Sequence, residues 1–274
     1  MRVTSSLRIA CVIIGGLALN ATVNAETVLV DMGNTSTFRG VSVPNPDANG
    51  HTWNSVAPGA LVSNLVGTNN VATGIGLGWD TPVGTDSFNG PFGGQTTFPN
   101  PTAGEIATVD GKINKVALGD LGVAEAAIDY AASAGAGLFN TVFDLESLNQ
   151  SETYTLKLYG SHIFSNDQNT VYSVFNKSTA GVLSGLEGSA SIAVQQIDTN
   201  DPSNPPNIPN FDQVATISGL TANSDGVLFV NFVGANGHEG YLNSFELIGT
   251  PTPEPASLGL IALAGTMLAR RRRA

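Results

Sequence analysis

The sequence predicts an all-β protein, a β-sandwich with one short helix, and three observations carry that expectation. Short β-branched or aromatic runs recur along the chain, and turn residues separate them about every ten positions. Charge is sparse, at 12% of the 274 residues. An apolar stretch at each end flanks this body, and each is expected as a helix.

Residues 1–25 have the layout of a secretory signal. Arg2 and Arg8 supply the positive start, 9–19 the apolar stretch, and Val23-Asn24-Ala25 a small-residue cleavage site. Cleavage between Ala25 and Glu26 would open the mature chain at Glu26. The body is then expected as one β domain over 26–250. Its first strand is predicted over 27–32, where Val28, Val30 and Met32 alternate with Leu29 and Asp31. Apolar residues on both faces mark it as a central strand. Residues 35–101 read as irregular, with strands around 61–66 and 75–79. The recurrence of Val123, Ala127, Tyr130 and Ala134 predicts a helix over 122–134, ended by Gly135 and Gly137. Further strands are expected over 138–145, 154–161, 170–175, 191–198, 214–218, 227–233 and 241–248. Asn223-Ser224-Asp225-Gly226 reads as a hairpin turn, and the proline-rich stretch 200–210 as a surface excursion.

The C-terminal end carries Pro253, Glu254 and Pro255, then an apolar run over 256–269, then Arg270, Arg271, Arg272 and Arg273. The run is short for a bilayer span, but an arginine cluster behind it would hold the end on the cytoplasmic side. This order resembles the PEP-CTERM sorting signal, here over 251–274. The resemblance implies recognition by an exosortase, an integral-membrane cysteine protease, with cleavage near Pro253 to Pro255. It also implies a bacterial host that makes exopolysaccharide, a transient inner-membrane intermediate, and a final place on the cell surface or in the extracellular matrix.

Composition excludes several function classes. Six of the eleven basic residues lie in the two ends. Arg39, Lys112, Lys115, Lys157 and Lys177 remain, against 22 acidic residues in the whole chain. Such a body repels nucleic acid and anionic lipid. The only cysteine, Cys11, falls in the signal, so the body has neither disulfide nor thiolate metal site. His51, His162 and His238 lack zinc-site spacing. Asn45-Pro46-Asp47-Ala48-Asn49-Gly50 begins like a calcium loop, yet its twelfth position is Val56, which favours a plain turn. No cofactor is expected, apart from weakly bound structural calcium that this stretch or the oxygen-rich Asp198, Asn200 and Asp201 could hold.

No residues are marked as catalytic. A Gly-x-Ser-x-Gly elbow is missing, and Ser161 and His162 are strand neighbours that point to opposite faces. The acids offer many pairs for glycoside hydrolysis without selecting one. Trp53 and Trp79 lie in Gly-rich irregular sequence and are candidate sugar platforms if displayed, although core burial is the default for tryptophan.

Several body segments resemble a recurrent PEP-CTERM body with a galactose-binding-like jelly-roll fold. They are Leu29-Val30-Asp31-Met32-Gly33, the stretch 145–161, a hairpin over 214–232, and the closing Gly240-Tyr241-Leu242-Asn243-Ser244-Phe245-Glu246. That resemblance implies a sandwich and glycan contact. The expected function is noncatalytic contact with exopolysaccharide. The alternatives are an extracellular carbohydrate-active hydrolase and an adhesive surface protein that binds protein partners.

Overall fold

The computed structural model describes residues 26–37, 39–80, 83–84, 100–133, 141–162, 169–196, 208–235 and 239–251. Residues 1–25 of the expected N-terminal signal and 252–274 of the expected C-terminal one lie outside them, while Pro251 ends the last strand. In chain order the strands are β1 (Glu26–Asp31), β2 (Trp53–Ser55), β3 (Gly76–Trp79), β4 (Val83–Gly84), β5 (Ala131–Ser133), β6 (Thr141–Glu146), β7 (Glu152–Tyr159), β8 (Asn169–Thr179), β9 (Val182–Ala193), β10 (Gln195–Gln196), β11 (Ile208–Pro209), β12 (Ala215–Leu220), β13 (Leu228–Gly234), β14 (Tyr241–Leu242) and β15 (Ser244–Pro251). Two five-stranded sheets hold most of them, ordered β12-β7-β15-β1-β2 and β3-β6-β13-β8-β9. All pairings in these sheets are antiparallel except β1 with β2.

Alternation along the strands builds the core between the sheets. Val28, Val30, Leu156, Leu158, Ile217, Phe245 and Leu247 of the first sheet share one cluster with Leu77, Phe143, Leu145, Tyr172, Val174, Leu228, Val230 and Phe232 of the second. Phe143 and Phe245 stack across the interface at 5.3 Å and 18°. Chain connections run mostly between the sheets: β6 to β7, β7 to β8, β9 to β12, β12 to β13 and β13 to β15 all cross. The link from β1 to β2 stays within one sheet, and so does the hairpin β8–β9. Its turn, Ala180-Gly181, takes φ of 51° and 80°, the left-handed pair that matches strand twist. At Gly188 of β9 an added Cβ would run into Ile217 of β12, so glycine lets the two sheets close against each other at this edge.

The outer face of the first sheet is also covered. Leu29, Trp53 and Tyr159 on that face pack against α1 (Ala103–Asp110), α2 (Lys115–Leu118), a 3-10 turn (Gly119–Leu121) and α3 (Ala124–Ile128) in a second apolar cluster. Thr102 and Glu105 form a reciprocal capping box at the start of α1. These helices are too short to stand alone, so the packed face holds them.

Several sequence expectations are corrected. The helix expected over 122–134 is shorter, because α3 stops at Ile128 and the chain re-extends into β5, and α1 and α2 precede it where no helix was expected. The Asn223 turn forms, with Gly226 N–H donating to Asn223 O at 3.0 Å, but it passes from one sheet to the other and does not close a hairpin. Residues 61–66 make only bridges, Val62 to Leu77 and Val66 to Ala72. The strand expected over 191–198 divides into the end of the longer β9 and the short β10, with 197–198 outside the described residues. Among the described residues no helix is long and apolar enough to cross a membrane.

The inter-sheet stack is testable. Phe143→Ala and Phe245→Ala are each expected to lower unfolding free energy by about 3–5 kcal/mol. A double-mutant cycle by urea denaturation should return a coupling of about 1 kcal/mol. A coupling of zero would mean the rings do not meet.

Candidate functional site

The two tryptophans are not brought together. Trp53 is 2% exposed, and its indole N–H donates to Asp47 Oδ2 at 2.9 Å. The Asn45 side chain clamps its backbone, accepting from Trp53 N–H at 2.7 Å and donating to Trp53 O at 2.9 Å. Its ring is a core ring, and burial under the helices removes it as a sugar platform. Trp79 ends β3 and is half-buried against the inter-sheet core, tilted against Phe143 at 5.7 Å. The Asp47 loop is a turn: Asp47 Oδ1 accepts from Asn49 and His51 N–H at 2.8 and 2.9 Å, so protein donors already occupy its oxygens.

Ser161 and His162 follow the end of β7. His162 is 4% exposed and stacks on Tyr241 at 4.0 Å and 6°, with Tyr130 edge-on at 5.3 Å. Burial pushes its imidazole down to about 4, so it is neutral in the folded protein. Pro253, Glu254, Pro255, the four terminal arginines, Asp198, Asn200, Asp201 and His238 lie outside the described residues.

Two clefts open on the helix-covered side. One, of about 360 Å³, lies between the turn at Pro44–Asn49 and the helices, with Ile106 and Val123 as apolar walls and an Asp110–Lys115 ion pair of 2.7 Å at its edge. The other, of about 530 Å³, is more open and more polar. Lys157 of β7, Thr216 of β12, Ser191 of β9, Asp212 and Gln213 line it beside Leu118. Lys157 is fixed there by Glu246 at 2.8 Å. Strands supply three of these polar groups, which makes the groove floor rigid, and the set offers both donors and acceptors.

Two carboxylate groupings stand out, and sequence spacing revealed neither. On the outer face of the second sheet, Asp144 lies with Asp80 and Glu146 over the glycines of β3. Burial first, then the two neighbouring charges, push Asp144 up to about 6. On the opposite side of the molecule, Asp31 and Asp129 face each other, both 0% exposed. Burial raises both, Asp31 well above the carboxylate range and Asp129 to about 7. Asp129 Oδ2 accepts from Val41 N–H at 3.0 Å. Ser55 and Val43 N–H oppose the shift at Asp31, but neither reaches hydrogen-bond geometry. Among the described residues, no three His, Cys, Asp or Glu side chains converge as a metal set.

The buried imidazole has a pH consequence. The unfolded chain binds a proton near 6.5 that the folded chain refuses until about 4. Stability from this group is therefore full above pH 6.5 and lost as pH falls toward 4, about 3 kcal/mol in all. His162→Phe keeps the ring and should flatten this part of the profile, read as urea midpoints at pH 4.5 and 7.5 for both proteins. Equal slopes in the two would place the imidazole in contact with solvent. No protein-family model matches the chain, and comparison with curated proteins finds no match.

Proposed function

We propose that this chain is an exported surface or matrix protein of the PEP-CTERM kind, processed by an exosortase, whose jelly-roll-like sandwich contacts extracellular polysaccharide without cleaving it. Support for sorting comes from the ordered Pro-Glu-Pro, apolar run and four arginines at the C-terminal end. Crossing connections between the two sheets support the jelly-roll form. The observation that carries the binding reading is the groove of about 530 Å³, where Lys157, Ser191, Asp212, Gln213 and Thr216 offer donors and acceptors on a strand-built floor. Sugar hydroxyls need that mixture, and the cleft opens to solvent. Among the described residues no aromatic side chain lines it, so affinity there rests on hydrogen bonds and should be modest.

A hydrolase is the second reading, favoured by one observation: Asp144, pushed up to about 6 beside Asp80 and Glu146, is the kind of group a general acid needs.

Incubating the purified chain with insoluble polysaccharides, the host exopolysaccharide among them, separates the two. Retention without soluble sugar is expected, and Gln213→Ala with Thr216→Ala should weaken retention about tenfold. Sugar release that Asp144→Asn abolishes would establish the hydrolase instead. Sorting is checked separately by intact mass: in an exosortase-bearing host the chain should start at Glu26 and lack the residues after the Pro253–Pro255 segment, and an exosortase-null strain should keep them. An intact tail in both strains refutes the sorting claim.

A further inference from the structure

A group of buried oxygens without partners lies between the first sheet and the end of α3. Asp31 of β1 is in register with Ser244 of β15 and with Ser55 of β2. Register partners project from the same face of a sheet. Here that face lies under the helices, where Leu29 and Trp53 are also buried. Asp31, Asp129 and Ser244 are all 0% exposed. Neither carboxylate oxygen of Asp31 has a hydrogen-bond partner, nor has Asp129 Oδ1 or the Ser244 hydroxyl. Ser55 Oγ, at the rim of the group, accepts from Val43 N–H at 3.0 Å and keeps a lone pair.

Two buried carboxylates side by side repel, and each uncompensated oxygen in a dry interior is costly. A proton shared by the pair would bridge one pair of oxygens. It would leave the remaining Asp oxygen and the Ser244 hydroxyl still bare. A cation among them serves all four atoms at once. The backbone makes room for this carboxyl group, since a Cβ at Gly33 would run into the Asp129 side chain. Every candidate ligand is oxygen, which selects a hard cation over zinc or copper. Calcium tolerates irregular oxygen geometry, whereas magnesium demands a near-ideal octahedron.

We propose that Asp31 and Asp129, with the hydroxyls of Ser244 and Ser55, form a buried calcium site that ties β1 and β15 to the end of α3. The ion is structural, and the site is independent of the polysaccharide groove. Neither of the oxygen-rich stretches singled out in the sequence belongs to it.

The test uses the full purified chain. After equilibration with calcium and desalting, elemental analysis should find about one calcium per chain, and chelation with EDTA at pH 7.5 should lower the Tm by about 5–10 °C, restored by calcium and not by potassium. Asp129→Asn preserves shape while removing charge, and should lose both the bound calcium and the response to EDTA. Ser244→Ala is the milder companion in case that variant does not fold, and should weaken calcium affinity at least about tenfold. A wild-type chain with no stoichiometric calcium and a Tm indifferent to EDTA overturns the site and assigns the pair a shared proton. Wild-type calcium affinity in either variant overturns it too, since the ion would then sit elsewhere.

Discussion

The structure depends on the β1 side of the first sheet being buried on both faces. Val28 and Val30 of β1 point into the space between the sheets, while Leu29 points into the apolar layer beneath the short helices. A sheet used this way must be roofed as well as paired. The segment between β1 and β5 does the roofing, although its helices are short and could not hold their shape in water. Trp53, Tyr159 and Leu29 provide the surface on which Val109, Leu118, Leu121 and Ile128 settle. Polar atoms trapped by the roof then need partners inside. Tyr159 donates to Asn210 O at 2.7 Å, and Asn243 Nδ2 donates to Ala127 O at 3.0 Å, pinning α3 to the sheet.

Much of this was legible where the residue pattern is local. The two-sided apolar run at 27–32 marked β1 as central, and the structure places it between β15 and β2. The alternation from Tyr154 onward located β7, and the runs near 170, 214, 227 and 241 located β8, β12, β13 and β15. The misses have physical causes. β2 is three residues long and pairs in parallel with β1, so no turn announces it. Most of β9 is glycine, serine and exposed side chains, and it is held by its ladder with β8 more than by apolar burial. Helix α1 did carry a signal, Thr102-Ala103-Gly104-Glu105, the capping pattern, which the surrounding Gly- and Pro-rich sequence hid.

The sites were less legible because they are assembled across the fold. Asp31 and Asp129 are far apart in sequence, and only the docking of α3 on the first sheet brings them together. The same holds for the groove, whose polar groups come from β7, β9, β12 and the segment before β12. Periodicity reports which face a side chain takes, not which distant face meets it. Trp53 shows the converse. Its Gly- and Asn-rich surroundings suggested display, yet those residues are the turn and the clamp that bury it.

Five acidic side chains are buried among the described residues: Asp31, Asp47, Asp129, Asp144 and Glu246. How each is compensated separates architecture from chemistry. Asp47 accepts three N–H groups, two of backbone and one of indole, and Glu246 pairs with Lys157 at 2.8 Å. Those two resemble ordinary structural acids, held by directed bonds that already use their lone pairs. Asp31, Asp129 and Asp144 instead keep oxygens with no partner and stand beside another carboxylate. Replacing such groups with apolar residues would cost a fold of this size little and remove a penalty. Their presence in a body without cysteine, where the core alone must supply stability, therefore points to something that pairs with negative charge at the dry pair under α3. That pair is enclosed by the roof and suits a permanent ligand, whereas Asp144 has the exposed Glu146 beside it and stays within reach of solvent.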